Sequence, residues 1–259
     1  MAYKSWKRAM IKLTVITINY NNANGLKKTM DSVFCQNCRE FEYVVIDGGS
    51  TDGSRELIES MQDKINYWVS EKDQGIYNAM NKGIMKSNGK YLLFLNSGDS
   101  LIEKNVLKKA LRYVADEDIV YGNGQVRLSD GKVTSVKIPS ILSMKYFMNS
   151  SLFHPSTFIK RDLFQQHGLY NESNKVVSDW EFFILAIIVN NAVIRRFDFS
   201  LAEIEDGGIS RDARNRELLN LEIEKVHRNL AVHEFMDKGN IFAPTKNWVA
   251  RHLFNLIRL

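Results

Sequence analysis

The sequence predicts an α/β protein built on a doubly wound, mostly parallel sheet, and two observations support that fold class. In the first hundred residues of the 259-residue chain, short apolar runs alternate with segments of helical periodicity, the pattern of parallel strands joined by crossover helices. Two of the runs, residues 43–46 and 91–95, stop abruptly in small polar residues and a carboxylate. Because ligands of open α/β sheets bind beyond the carboxyl ends of the strands, we expect a binding site at that edge.

Four strands and three helices are predicted in this first part. The strands are expected at residues 13–18, 41–46, 65–69 and 91–95. The helices are expected around Leu26, Met30 and Val33, around Leu57, Ile58 and Met61, and around Ile76, Met80 and Ile84. Ser50 or Thr51 should cap the second helix, because a hydroxyl accepts from the free backbone N–H groups of a first turn. The third helix should end at Asn88-Gly89.

The pattern loosens after Asp99, and four further elements are predicted. They are a strand at residues 118–122, a hairpin with an Asp-Gly turn at 126–134, a buried helix at 179–189 and an amphipathic helix at 218–230. The hairpin would add strands to the sheet. We expect one domain over residues 1–240, followed by a basic and apolar tail at 241–259.

Composition disfavours several classes of function. The formal charge of +5, with 44% hydrophobic and 25% charged residues, is ordinary for a globular protein. Lys and Arg are scattered along the chain, which disfavours nucleic-acid binding. Cys35 and Cys38 lack the second pair that a zinc site would need. No apolar stretch approaches the roughly 20 residues that span a bilayer, and no secretory signal is visible, so we expect a cytoplasmic protein.

Four segments carry a resemblance to a known family. They are TINYN at residues 17–21, DGGSTDG at 47–53, DQGIYNAMNKG at 73–83 and FLNSGD at 94–99. In this order and spacing they resemble family 2 glycosyltransferases of the GT-A fold over nearly the whole chain. The third segment most resembles bacterial enzymes that make colanic-acid-type capsules, exopolysaccharides and O-antigens. The resemblance implies a Rossmann-like GT-A sheet and inverting transfer of a sugar from a nucleotide-sugar, with UDP favoured, to a saccharide or lipid-linked saccharide.

The resemblance also implies which residues bind the donor. Asp47 would accept from the base, and Gly49 would let the backbone approach the ligand closely. Asp73 would bind the nucleoside in a loop that Asn81 positions. The complete set expected on the donor side is Thr17, Asn19, Asn21, Asp47, Gly49, Asp73, Asn81, Asn96 and Ser97.

Asn96-Ser97-Gly98-Asp99 occupies the place of the family's Asp-x-Asp motif. A departing nucleoside diphosphate carries several negative charges, which Mg²⁺ or Mn²⁺ held by hard oxygen ligands neutralises. Asp99 is then the expected metal ligand, and the amide oxygen of Asn96 would accept from the ribose or from a metal-bound water. Because Asn96 replaces the motif's first aspartate, one carboxylate of the usual metal site is missing.

The acceptor half is expected to supply a general base, because an acceptor hydroxyl must lose its proton as it attacks the anomeric carbon. The segment VSDWE at 177–181 resembles the family's catalytic Glu/Asp-Asp motif and implies that Asp179 is this base. His154, Trp180 and Glu181 are further candidates for contacts with the acceptor or the diphosphate. An alternative stays open at Asp179, since a carboxylate at this position would also cap a helix.

The resemblance divides the domain into a nucleotide-sugar-binding half at residues 1–100 and an acceptor-binding half at 101–240. The expected partners are a nucleotide-sugar donor and a saccharide or lipid-linked acceptor, with no nucleic acid. The tail at 241–259 suits either a peripheral anchor at the inner face of the cytoplasmic membrane or a segment packed on the core. A sugar-1-phosphate nucleotidyltransferase is disfavoured, because residues 19–22 stand where its basic Gly-rich loop is expected. A non-catalytic scaffold that binds a nucleotide-sugar is the alternative function.

Overall fold

The first four strands pair in parallel, as their unbroken apolar runs predict. They are β1 (Leu13–Asn19), β2 (Phe41–Asp47), β3 (Tyr67–Ser70) and β4 (Tyr91–Phe94). β1 lies between β2 and β4, and β3 pairs with β2. Every residue of β1 is buried, because a parallel sheet is covered by the helices that connect its strands.

Five further strands, in mixed parallel and antiparallel pairing, extend the sheet beyond β4. They are β5 (Ser100–Leu101), β6 (Ile119–Arg127), β7 (Val133–Val136), β8 (Thr157–Lys160) and β9 (Ile194–Glu205). The sheet runs in the order β3-β2-β1-β4-β8-β6-β9-β5, with β7 paired to β6. β8 is antiparallel to both β4 and β6, whereas β6 and β9 are parallel. The α/β class is confirmed, and the predicted donor side lies in the parallel half.

Helices connect these strands, with caps that differ in part from the prediction. They are α1 (Ala23–Phe34), α2 (Ser54–Ser60), α3 (Ile76–Lys86), α4 (Val106–Ala110), α5 (Met144–Phe147), α6 (Asp162–His167), α7 (Ser178–Phe183) and α8 (Arg216–Asn229). Asn22 caps α1 by accepting from a backbone amide of its first turn at 3.1 Å. At α2, Asp52 accepts from the backbone and the hydroxyl of Ser54. Ser50, the predicted cap, is instead bonded to Asp47.

Two predicted elements have different bounds in the structure. The strand predicted at 118–122 continues to Arg127, so β6 itself forms the first arm of the hairpin, and the predicted turn is present with Gly131 at φ +84°. The helix predicted at 179–189 is α-helical only in α7 and π-helical over the next six residues. β5, β8 and β9 were not predicted, because they are short or mix polar and apolar residues without a regular period.

The computed structural model describes residues 12–208 and 213–230. The predicted tail at 241–259 lies outside the described residues, so its two interpretations stay predictions. Within the described part of the chain, no helix is both long enough and apolar enough to cross a bilayer.

Candidate active site

The carboxyl ends of β1, β2 and β3 meet in a network centred on Asp47. This fully buried carboxylate accepts from the Asn19 amide at 2.7 Å and from the Ser70 hydroxyl at 2.6 Å. Ser50 donates to it twice, through its hydroxyl at 2.6 Å and its backbone N–H at 2.9 Å. Burial opposes ionisation, but these hydrogen bonds outweigh it and hold the pKa of Asp47 below its usual value. Asp47 therefore fixes three strand ends as an ionised group, and its direct contact with a base stays a prediction.

Asn19 leaves one polar atom unused at this edge. Its amide nitrogen donates to Asp47 and to the Ser50 hydroxyl at 2.7 and 3.2 Å. This fixes the orientation of the amide, because a carboxylate only accepts. The amide oxygen is buried and has no hydrogen-bond partner among the described residues. A buried acceptor without a partner is costly, and a ligand N–H or O–H would satisfy it.

Backbone geometry beside Asp47 keeps this edge accessible. Gly49 has φ +79°, a conformation that favours glycine. A Cβ on Gly48 would lie 2.9 Å from Oδ2 of Asp73, so a side chain there would displace that carboxylate. Oδ1 of Asp73 forms an ion pair with Lys82 at 2.7 Å. Burial raises the pKa of Asp73, and Lys82 offsets part of that rise.

Two further predicted donor-side residues, Asn21 and Ser97, lie in the neighbouring turns. The backbone N–H of Asn21 donates to the Ser50 hydroxyl at 2.8 Å, and its side-chain oxygen accepts from the Thr51 N–H at 2.9 Å. The carbonyl of Ser97 accepts from the side chain of Asn22 at 3.1 Å. The turns after β1, β2 and β4 are thus joined by hydrogen bonds.

Asn96 and Asp99 form a tight turn at the end of β4. The Asp99 carboxylate accepts from the Asn96 backbone N–H at 2.9 Å. Thr29 of α1 holds the turn, because its hydroxyl donates to the Asp99 carbonyl at 2.6 Å and accepts from the Gly98 N–H at 3.0 Å. Asp99 is only 9% exposed. Burial raises its pKa to about 7, and the Asn96 hydrogen bond and the charge of Lys28 oppose that rise.

This turn offers two oxygen donors that suit a divalent cation. The amide oxygen of Asn96 is buried and has no hydrogen-bond partner among the described residues, and Asp99 supplies a carboxylate. No group of three or more His, Cys, Asp or Glu side chains that could hold a metal occurs in residues 12–208 and 213–230. One carboxylate and one amide oxygen are ligands of the kind that Mg²⁺ binds, with substrate phosphates and water completing its shell, and a cation at this turn stays a prediction.

Asp179, the predicted base, lies at the start of α7 beside a tyrosine and a histidine. Its Oδ1 accepts from the Tyr77 hydroxyl at 2.8 Å, and its Oδ2 lies 3.9 Å from Nδ1 of His154. The Asp179 side chain is 23% exposed, so an acceptor has access to it. The alternative role as a helix cap is not observed, since no side chain caps α7.

His154 lies between Asp179 and the end of β4, the strand that leads into the Asn96–Asp99 turn. Its Nε2 lies 3.0 Å from the Tyr170 hydroxyl. Its ring stacks on Phe94, the last residue of β4, with centroids 4.9 Å apart. Burial lowers the pKa of His154, and the negative charge of Asp179 opposes that effect. The imidazole is therefore neutral at neutral pH.

Asn81 holds the loop before α7 against α3. Its amide nitrogen donates to the Tyr170 carbonyl at 2.9 Å and to the Glu172 carboxylate at 2.8 Å. Its amide oxygen accepts from the Tyr170 N–H at 3.0 Å. Because the buried side chain is engaged in these bonds, they join Asn81 to the loop at Tyr170 and Glu172, and its predicted role in the Asp73 loop stays a prediction.

Three other predicted residues are engaged inside the protein. Thr17 is fully buried and accepts from the Tyr43 hydroxyl at 3.0 Å, because β1 is covered on both faces. The indole N–H of Trp180 donates to the Phe147 carbonyl at 2.8 Å. Glu181 accepts from two asparagine side chains at 2.8 and 3.2 Å, and burial raises its pKa. A helix turns about 100° per residue, so Trp180 and Glu181 face away from the direction of Asp179. Ligand contacts by these three stay predictions.

Four side chains of the site were not predicted from the sequence: Ser50, Ser70, Tyr77 and Tyr170. Ser50 was assigned to a helix cap, and a lone serine such as Ser70 carries no signal. Tyr77 lies inside the matched 73–83 segment, which was the one clue available, but a tyrosine at a helical core position is usually a packing residue.

A cleft of about 620 Å³ opens beside the Asp99 turn, lined in part by Lys28, Arg127 and Glu203. Its charges are paired within the protein, Arg127 with Glu203 at 2.8 Å and Lys28 with Glu205 at 2.8 Å. Paired charges attract a diphosphate weakly. The strand-end groups, with their unused oxygen acceptors, are therefore the better candidate for the donor site.

A GT-A glycosyltransferase is the class of protein that this fold and site define. Residues 14–168, more than half of the chain, match the Glycosyl transferase family 2 model, and the chain belongs to that family. A PGL/p-HBAD biosynthesis glycosyltransferase of Mycobacterium bovis (strain BCG / Pasteur 1173P2) is 30% identical over 213 residues, which cover 80% of this chain and 82% of the relative. An uncharacterized glycosyltransferase of Mycobacterium tuberculosis (strain CDC 1551 / Oshkosh) is 32% identical over 190 residues, 71% and 72% of the two chains.

Solved structures share the fold. Residues 1–349 of TarS from S. aureus, in complex with UDP-GlcNAc, match with a TM-score of 0.61 and 21% identity over 75% of this chain and 58% of that chain. The mannosyltransferase PcManGT from Pyrobaculum calidifontis, in complex with GDP-Man and Mn²⁺, matches with a TM-score of 0.59 and 16% identity over 94% of this chain and 69% of that chain. At these identities the likeness concerns the fold alone, and it confirms the predicted GT-A class.

Proposed function

We propose that this glycosyltransferase moves a sugar, with inversion, from a UDP-sugar to a hydroxyl of a saccharide or lipid-linked saccharide in surface polysaccharide biosynthesis, on the cytoplasmic side of the membrane. One observation carries the proposal. The strand ends present unused oxygen acceptors on Asn19 and Asn96 beside Asp99, and His154 connects that edge to the partly exposed carboxylate of Asp179. Complexes of TarS with UDP-GlcNAc and of PcManGT with GDP-Man support a nucleotide-sugar as donor.

In the proposed reaction, Oδ2 of Asp179 takes the proton of the acceptor hydroxyl. The acceptor oxygen forms a bond to the anomeric carbon from the face opposite the diphosphate. The bond from that carbon to the diphosphate oxygen breaks, and its electron pair leaves with the nucleoside diphosphate. A divalent cation held by Asp99 and the amide oxygen of Asn96 would neutralise the charge of the departing diphosphate. The Asp47 network keeps the Asn19 amide oriented toward the ligand.

UDP with Mn²⁺ is expected to raise the melting temperature of the wild-type protein, and Asp99→Ala to abolish that rise. A ligand at about 100 times its Kd stabilises a protein by about 2.7 kcal/mol. Asp162→Ala, at the exposed start of α6, is the matched control and should keep the rise. A wild-type protein that does not respond to UDP or GDP with Mn²⁺ would contradict a nucleotide-sugar donor. A response retained by Asp99→Ala would contradict the assigned metal ligand.

The apparent affinity for Mn²⁺ in the presence of UDP is expected to increase as the pH rises through 7. Burial raises the pKa of Asp99 to about 7, and a cation must displace the proton from a carboxylate that it binds. The apparent affinity should therefore fall about tenfold per pH unit well below that value. Titration of Mn²⁺ in the presence of UDP between about pH 6 and pH 8 measures this.

Two variants separate this effect from the titration of UDP itself. Asp99→Asn removes the ionisable group and should leave only the pH dependence of the nucleotide. Lys28→Met removes the positive side chain that favours ionised Asp99, so the increase in Mn²⁺ affinity should occur at higher pH. Equal pH dependence in wild type and Asp99→Asn would be the contrary result.

A non-catalytic nucleotide-sugar-binding scaffold is the second candidate function, favoured by Asn96 in place of the motif's first aspartate. A scaffold would bind UDP with Mn²⁺ but would not cleave a donor. Hydrolysis of UDP-GlcNAc, UDP-glucose, UDP-galactose and GDP-mannose, with water in the acceptor's place, distinguishes the two. Turnover of any of them that is lost in Asp179→Asn supports the enzyme.

A further inference from the structure

Tyr77 connects the donor side of the protein to the proposed base. It lies in the first turn of α3, four residues after Asp73. Its hydroxyl donates to Oδ1 of Asp179 at 2.8 Å, and the residue is only 4% exposed. Its ring packs against Tyr170 with centroids 5.6 Å apart. Packing around the Tyr77 ring therefore holds its hydroxyl in one position.

The Tyr77 hydroxyl is a permanent donor. Burial, together with the neighbouring charge of Asp179, raises the pKa of Tyr77 well above its usual value. The phenol thus stays protonated at any pH at which the protein works. His154 contributes differently, because its Nδ1 lies 3.9 Å from Oδ2 of Asp179, too far for a hydrogen bond.

The bond from Tyr77 makes the two carboxylate oxygens of Asp179 unequal. Oδ1 is occupied, which leaves Oδ2 for an incoming hydroxyl. Rotation of the carboxylate away from this position would break the bond to Tyr77. The titratable groups that face Asp179 from the elements packed on α7 are Tyr77, His154 and Tyr170. Of these, Tyr77 alone makes a hydrogen bond to the carboxylate.

Other contacts join the segment around Tyr77 to the segment just before Asp179. The Lys175 ammonium donates to the Gln74 carbonyl at 3.3 Å, just before α3. The Asn78 amide donates to the Glu172 carboxylate at 2.9 Å. These contacts flank Tyr77, so the position of Asp179 is coupled to the segment that begins with Asp73.

We propose that Tyr77 is a positioning residue that holds Asp179 with Oδ2 turned toward the acceptor hydroxyl. The proposal rests on the proposed function, because it needs Asp179 to act as the base. Tyr77 touches no reacting atom in this role. The proton passes from the acceptor oxygen to Oδ2 of Asp179, and Tyr77 keeps its own proton throughout.

Tyr77→Phe is the direct test, because it removes the hydroxyl and keeps the ring. We expect kcat for hydrolysis of the donor identified in the panel of nucleotide-sugars to fall about 10- to 100-fold, as for a misplaced catalytic group. The donor KM should stay within about twofold of wild type, since Tyr77 does not bind the donor. A fall in kcat at unchanged KM is the result that distinguishes a misplaced base from a disturbed donor site.

Tyr43→Phe is the matched control. Tyr43 is also buried, and its hydroxyl donates to Thr17 at 3.0 Å in the core. Its loss should lower the melting temperature but leave kcat and the donor KM near their wild-type values. A Tyr77→Phe protein whose kcat equals that of Tyr43→Phe would overturn the proposal.

Incorporation of 4-fluorophenylalanine at position 77 provides a second measurement if Tyr77→Phe does not fold. Its fluorine fills the space of the hydroxyl but cannot donate a hydrogen bond, so kcat should fall about 10- to 100-fold at nearly unchanged donor KM, and a wild-type kcat would refute the role. The proposed base and the proposed role of Tyr77 fail separately. If Asp179→Asn keeps wild-type turnover, the proposed base is wrong. If Asp179→Asn is inactive and neither change at position 77 lowers kcat, only the role of Tyr77 is wrong.

Discussion

Asp179→Asn is expected to lower the rate of sugar transfer by about 10²- to 10⁴-fold, the usual loss on removal of a general base, and to leave donor binding unchanged. An amide has nearly the shape of a carboxylate, and its oxygen still accepts from Tyr77. Only the capacity to take up the acceptor proton is lost. The rate is measured as nucleotide release from the donor, and donor binding as the melting-temperature rise with UDP and Mn²⁺.

Asp162→Asn makes the same chemical change at the exposed start of α6 and should keep the wild-type rate. A turnover of Asp179→Asn within tenfold of wild type would refute the assignment of the base. Loss of the melting-temperature rise together with turnover would show that the substitution disturbs the donor site as well, contrary to the expectation.

Asp47→Ala is expected to lower the free energy of unfolding by about 2 to 5 kcal/mol. The change leaves buried donors of Asn19, Ser50 and Ser70 without their acceptor. Because hydrogen bonds hold the pKa of Asp47 below its usual value, its stabilisation is present above the unfolded-state pKa near 3.9 and is lost as the pH falls through the native value. Urea unfolding at neutral and acidic pH should therefore show a smaller acid sensitivity in the variant than in the wild type.

Asp52→Ala is the control for this stability measurement. Asp52 is exposed and accepts from Ala23 and Ser54, so its removal should cost only about 1 kcal/mol, as for a helix cap. If Asp47→Ala loses no more stability than Asp52→Ala, the network does not hold the strand ends in the way described.

The parallel half of the sheet was predictable because each of its strands is indicated by residues that are adjacent in the sequence. Buried parallel strands are continuous apolar runs, and each of the four runs became a strand. The endings at Asp47 and Asp99 marked the functional edge, since ligands bind at the carboxyl ends of such strands. In the second half, β9 alternates too irregularly to be identified, and the helix predicted at 179–189 changes to π-helical geometry that apolar content does not encode.

The site was predictable only in part. The segments that carry Asp99 and Asp179 are recognisable through their resemblance to the family, but the roles of neighbouring residues depend on which way each side chain turns. Thr17 lies in a matched segment and is nevertheless buried against Tyr43. Tyr77 was not singled out in the sequence, yet it contacts Asp179, a partner 102 positions away.

By itself, the sequence determined the fold class, the positions of the first four strands along the chain, and the edge at which polar and acidic residues collect, because these follow from patterns within a few residues. The tertiary structure alone decided which polar atoms of those residues are used within the protein. Asp47 became a buried anchor and the amide oxygens of Asn19 and Asn96 were left without partners. That outcome depends on contacts between segments far apart in the chain, which form only when the chain folds.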